Sequence, residues 1–126
     1  MELHSLKVLI CDDSSLIRKK LKELLFKYGC TEIFEASDGQ NAIDMYKKYI
    51  PHLVFMDIVM PVKDGITALN EIIQFDKNAK VIMSSSSGTK ILLKKALEAG
   101  ACEFIQKPFA NIKIESILKE FNEEVQ

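Results

Sequence analysis

Leu53-Val54-Phe55-Met56-Asp57-Ile58-Val59-Met60-Pro61 is the stretch on which the fold turns. Its first four residues are all apolar and strand-sized, and a strand without polar alternation is buried on both faces, as at the centre of a parallel sheet. Pro51 ends the segment before it, and Met60 to Gly65 supplies a turn after it. Beyond the turn, Leu69, Ile72 and Ile73 recur at helical spacing from about Ile66 to Phe75.

The same unit repeats outward in both directions. Upstream, Val8-Leu9-Ile10-Cys11 reads as a strand. A helix follows, carrying Ile17, Leu21, Leu24, Leu25 and Tyr28 and stopped by Gly29. Glu32-Ile33-Phe34-Glu35-Ala36 alternates polar with apolar, as an edge strand does, and Ala42, Met45, Tyr46 and Tyr49 mark the second helix. Downstream, Lys80-Val81-Ile82-Met83 predicts strand four and Thr89 to Ala99 helix four, stopped by Gly100. Glu103-Phe104-Ile105-Gln106 predicts strand five. The last helix starts near Ile112, with Ile114, Ile117, Leu118, Phe121 and Val125 along one stripe. Five strands alternating strictly with five helices predict an α/β fold: a parallel sheet with helices on both faces and right-handed crossovers.

Composition sets limits on function. The 126 residues suit a single domain spanning 1–126, with 48% hydrophobic and 28% charged residues. Lys+Arg 17 against Asp+Glu 18 leaves a net charge of −1, without the basic excess of a general nucleic-acid binder. The three cysteines are scattered, which predicts buried thiols in a reducing compartment. With no signal-peptide pattern and no long apolar run, the expected location is cytoplasmic, without a membrane partner.

In sheets of this type ligands bind outside the carboxyl ends of the strands, at the topological switch point. The residues expected there are Asp12 and Asp13 after strand one, Asp57 after strand three, Ser84 to Ser87 after strand four, and Lys107 after strand five. Adjacent carboxylates repel each other unless a cation neutralises them, and an all-oxygen site suits magnesium. Read by themselves, Asp12 and Asp13 are better explained by one of them capping the next helix. Asp57 is open to two readings: a surface-loop acid beginning the turn, or, with a neutralising cation, a carboxylate nucleophile able to form an acyl phosphate. Lys107 is a compact point charge suited to phosphate. The Ser84 to Thr89 run offers either hydroxyl and N–H donors for an anion or serines that cap helix four.

Together Asp12-Asp13, Asp57, Ser85 and Lys107-Pro108, one motif at each expected strand end, resemble the response-regulator receiver domain of two-component signalling. The segments 56–61, 64–66, 99–101 and 104–109 are similar to that family's phosphoacceptor strand and turn and to its approach to the lysine, and the resemblance covers essentially the whole chain. It implies a flavodoxin-like doubly wound sheet of order 2-1-3-4-5. It also implies that Asp57 accepts a phosphoryl group from a histidine kinase or a histidine phosphotransfer protein, in a phosphoacceptor that is not a conventional enzyme. Mg2+ would be held by Asp13, Asp57 and the backbone carbonyl of Val59, with Asp12 acting largely through water. Lys107 would contact one phosphoryl oxygen and Ser85 would move to bind another. Phe104 would then turn inward and remodel a docking face of helix four, strand five and helix five.

Residues 64–69 and 78–83 resemble stand-alone chemotaxis regulators of CheY type, whereas helix four, at Lys90 to Lys95, is less similar to them. A phosphorelay intermediate or a regulator of another process is therefore the alternative. Ser86 stands where the family usually has alanine or glycine. Val59 and Ser87, flanking the path of an attacking water, are neither acidic nor amide-bearing, which predicts little assistance to autodephosphorylation. Two readings from other classes are a small flavin- or phosphate-binding module and a magnesium-dependent phosphatase. The first lacks aromatics beyond Tyr28, Tyr46 and Tyr49 to sandwich a flavin, and the second lacks an Asp-x-Asp spacing. With the fifth helix running close to residue 126, the chain is expected to signal by docking rather than through an output domain of its own.

Overall fold

A computed structural model describes residues 2–86 and 89–125, with side chains through 122. After a short 3-10 turn, Leu3–Ser5, the strands are β1 (Lys7–Cys11), β2 (Glu32–Ala36), β3 (Leu53–Asp57), β4 (Val81–Ser85) and β5 (Glu103–Gln106). The helices are α1 (Ser15–Lys27), α2 (Gly39–Tyr49), α3 (Gly65–Phe75), α4 (Lys90–Glu98) and α5 (Asn111–Val125). The sheet order is β2-β1-β3-β4-β5 and every pair is parallel. The order reverses between β1 and β3, so the switch-point crevice lies between the ends of those two strands.

Strand pleating explains why the central runs are apolar throughout. Leu9, Cys11, Val54, Met56, Val81 and Met83 face one layer, where Ala42, Ile43, Tyr46, Ala68, Leu69, Ile72 and Ala96 cover them. Val8, Ile10, Leu53, Phe55 and Ile82 face the other, beneath Leu21, Leu25, Ile114, Ile117, Leu118 and Phe121. β2 carries the mixed pattern of an edge strand, with Glu32 and Glu35 exposed. Among the described residues no helix is long and apolar enough to cross a membrane.

The structure departs from the expected elements at two places, the end of β4 and the cap of α4. β4 runs on through Ser84 and Ser85, both 2% exposed, instead of stopping at Met83. The neighbouring strands reach equally far: Ile58 N–H donates to the Ser84 carbonyl at 3.0 Å and Lys107 N–H to the Ser85 carbonyl at 2.9 Å. Small hydroxyl side chains therefore continue the ladder there and do not open a loop. α4 is capped by Thr89, whose hydroxyl accepts from Leu92 N–H at 3.3 Å, and not by the serines. The buried stripe of α5 is Ile114, Ile117, Leu118 and Phe121, as their spacing predicts, with Ile112 before it 78% exposed; the Val125 side chain lies outside the described ones.

Candidate functional site

Parallel register carries the polar strand ends to one edge. Cys11 is level with Met56, and Asp57 with Ser84, so Asp12 and Asp57 emerge side by side across the switch point. One carboxylate oxygen each from Asp12, Asp13 and Asp57 lies within 4.8 Å of the other two. Asp12 and Asp57 are buried, at 3% and 7% exposure, whereas Asp13 faces solvent.

Neither Asp12 nor Asp13 caps the helix after β1. That role belongs to Ser14, whose hydroxyl accepts from Ile17 N–H at 3.2 Å. Asp12 instead turns one carboxylate oxygen back to accept from Ser14 N–H at 2.9 Å and presents the other to Lys107 Nζ. Asp57 is the last residue of β3 rather than a loop residue, with its Oδ1 3.2 Å from the same ammonium. Lys107, expected opposite Asp57, thus bridges two acids from different strands, and the closer one is Asp12. The peptide joining Lys107 to Pro108 is cis.

The electrostatics are unbalanced, with three carboxylates against one ammonium. Burial pushes the Asp57 carboxyl above its ordinary range. Lys107 opposes that shift, and the negative charges of Asp12 and Asp13 reinforce it.

The turn after β3 is shaped by two glycines. A Cβ on Gly65 would lie 2.0 Å from the Asp57 carbonyl oxygen, so only glycine lets α3 start this close behind the acid. Gly65 N–H donates to the Ile58 carbonyl at 2.7 Å, and Asp64 caps α3 by accepting from Thr67 N–H at 2.8 Å. A Cβ on Gly39, at the start of α2, would lie 1.9 Å from the Lys63 carbonyl oxygen. Between them Val62 adopts φ +68, a left-handed conformation that is costly for a β-branched residue.

Ser85, the last residue of β4, stands one position beyond the Asp57 register partner. Phe104 on β5 is half-buried and packs on the core layer that contains Ala96 and Ala101. Val59 is 70% exposed and Ser86 is exposed; Ser87 lies outside the described residues. The three tyrosines are engaged away from the Asp12–Asp13–Asp57 cluster. Tyr46 donates to Asp76 at 2.7 Å, Tyr49 stacks on Phe34 with centroids 4.1 Å apart, and the Tyr28 hydroxyl is 3.4 Å from the Asn111 carbonyl.

One participant was not expected from the sequence. Arg18 Nη1 donates to the backbone carbonyl of Asp12 at 2.7 Å, while its Nε donates to Glu35 Oε1 at 3.0 Å. An arginine on the first turns of the helix after the acid pair was the available signal.

A family model described as the response regulator receiver domain matches residues 8–119. The chemotaxis protein CheY of Bacillus subtilis is 44% identical over 117 residues, covering 92% of this chain and 98% of the relative. The chemotaxis protein CheY of Halobacterium salinarum is 48% identical over 107 residues, covering 82% and 85%. Among solved structures, a CheX-CheY-BeF3-Mg complex from Borrelia burgdorferi matches with a TM-score of 0.87 at 40% identity, covering 91% of this chain and 87% of that one.

Proposed function

This chain belongs to the response-regulator receiver family, and on that premise we propose that it is a stand-alone single-domain regulator that accepts a phosphoryl group on Asp57. The observation that carries the reading is Lys107 placed between Asp12 and Asp57 at the switch point, with Asp13 completing an acid cluster beside them. The donor set suits a divalent cation, because three carboxylates and one ammonium leave negative charge that a hard oxygen-seeking ion would neutralise. Asp13, Asp57 and the Val59 carbonyl are the residues that would hold Mg2+, with Asp12 acting through water. When bound, the ion supplies charge neutralisation at the acids and at the incoming phosphoryl oxygens.

In the transfer step an oxygen of Asp57 attacks phosphorus, forming the acyl phosphate. The bond from phosphorus to the donor breaks, and its electron pair leaves with the donor, an imidazole nitrogen when the donor is a phosphohistidine. Gly65 and the β3 ladder hold the nucleophile in place from behind. Lys107 pairs with a phosphoryl oxygen in the product, giving up part of its contact with the acids.

Phosphorylation adds about 1.5 to 2 negative charges at Asp57. Ser85 and Lys107 gain contacts only in that state, so they bias the β4–α4 connection by about a few kcal/mol. Phe104 follows inward, and the face formed by α4, β5 and α5 changes shape for a downstream protein. Chemotaxis or flagellar-motor control is the pathway best supported, because the relatives include chemotaxis proteins in two organisms. A phosphorelay step remains the alternative output of the same chemistry. The site of action is the cytoplasm, alongside a histidine kinase or phosphotransfer protein, and nucleic acid has no part in it.

The test is incubation with Mg2+ and acetyl phosphate, followed by intact mass and peptide mapping. One hydroxylamine-labile phosphoryl group on Asp57 supports the reading. Labelling that persists unchanged in Asp57→Asn, without moving to another acid, overturns it. Steady release of phosphate from an ester substrate would instead favour a phosphatase.

A further inference from the structure

We infer that Arg18, held in place by Glu35, is a positioning residue that sets the geometry of the Asp12–Asp13 acid pair and thereby the affinity of the site for Mg2+. The inference rests on the metal-binding reading above and concerns residues that reading does not use.

Every polar group of Asp12 is engaged. Its N–H donates to the Ala36 carbonyl on β2 at 3.0 Å, and its two carboxylate oxygens accept from Ser14 N–H and from Lys107. Its carbonyl accepts from Arg18 Nη1 at 2.7 Å. That carbonyl belongs to the peptide plane shared with Asp13, and rotating the plane would swing the Asp13 side chain relative to Asp57. The carboxylates of Asp12 and Asp57 are buried and tied to Lys107, whereas Asp13 is exposed. Asp13 is therefore the acid whose place depends most on its backbone.

Arg18 suits this work because its planar guanidinium makes two contacts in one orientation. One end meets the Asp12 carbonyl and the other meets Glu35 Oε1 at 3.0 Å. Glu35 sits on the edge strand and also receives Lys22 Nζ at 3.4 Å. The Arg18 side chain is 18% exposed, so water competes poorly for its donors, while Glu35 is 37% exposed and meets the Asp12 carbonyl's partner rather than the acids themselves. A lysine at 18 could reach either the carbonyl or Glu35 but could not span both in a fixed plane.

Calorimetric titration of Mg2+ into the full chain decides the matter, with Arg18→Met, Arg18→Lys and Glu35→Gln compared with the parent. We expect Arg18→Met to weaken Mg2+ binding about tenfold, the lower end of the effect of removing a partner that orients metal ligands. Arg18→Lys should recover part of the loss, and Glu35→Gln should weaken binding roughly threefold, as befits a half-exposed ion pair. A second readout separates positioning from general destabilisation. At saturating Mg2+ the maximal rate of labelling by acetyl phosphate should return close to the parent value, with the defect confined to the Mg2+ concentration required. If Arg18→Met does not fold, Glu35→Gln decides. Parental Mg2+ affinity in the folded variants overturns the inference while leaving the site reading intact. A parent chain that binds no Mg2+ overturns both.

Discussion

α3 and α4 leave the same edge of the sheet and cover the same core layer, yet they are held very differently. α3 buries Gly65, Ala68, Leu69 and Ile72, and its first residue lies directly against the Asp57 backbone. α4 buries only Ala96 and leaves Ile91, Leu93 and Leu97 at 68%, 38% and 46% exposure. Fully burying one leucine or isoleucine contributes about 1.5–3 kcal/mol, so two of them on α3 outweigh the methyl group that anchors α4. The lesson is a division of labour. The acid proposed to accept the phosphoryl group is fixed on the firmly packed side, and the surface expected to respond lies on the loosely packed side.

The largest expected effect tests that division directly. Leu69→Ala should cost about 2–5 kcal/mol in urea unfolding, because it empties a fully buried site, whereas Leu97→Ala should stay within about 0.5 kcal/mol. Equal losses at the two positions would break the comparison.

A smaller effect belongs to the turn between β3 and α3. Val62→Gly should stabilise the fold by about 1 kcal/mol, since relief of the left-handed valine exceeds the added freedom of the unfolded chain. A loss of stability on thermal unfolding would show that Val62 makes contacts outweighing its backbone strain.

The third effect carries a pH signature. Burial holds the Asp57 proton more tightly in the folded chain than in the unfolded one. The stability linked to this group is therefore full below its unfolded pKa and declines as pH rises through the window up to the folded value. It stays lost at neutral pH. Asp57→Asn without Mg2+ should raise the melting temperature by a few degrees at pH 7, and the gain should shrink on acidification. Lys107 keeps its pairing with Asp12 in that variant, so no ammonium is left unpaired. A gain that grows as the pH falls would contradict the assignment.

The parts of the fold written in local pattern were legible. Glu32–Ala36 is marked by its alternation and Glu103–Gln106 by its place after the Gly100 stop, and Leu53 to Met56 announces a central strand by its unbroken apolar run. Features set by neighbours were not. Ser84 and Ser85 look like turn residues, yet the ladders from β3 and β5 extend the strand through them. At the candidate site, residue types alone brought out the three acids and the lysine. Sharing of Lys107 between Asp12 and Asp57 depends on where β5 ends relative to β1 and β3, and the Arg18 contact depends on how α1 returns over β2.

The central claim is that chemistry at Asp57 is felt on α4 and β5 more than on α2 and α3. Amide chemical shifts of the nitrogen-15-labelled chain, recorded with Mg2+ before and after addition of acetyl phosphate, test it most directly. The account predicts large shifts at Ser85, along α4 and around Phe104, small shifts along α2 and α3, and none beyond the Mg2+ effect in Asp57→Asn. Shifts of equal size on both sides of the layer, or the same response in Asp57→Asn, would contradict it.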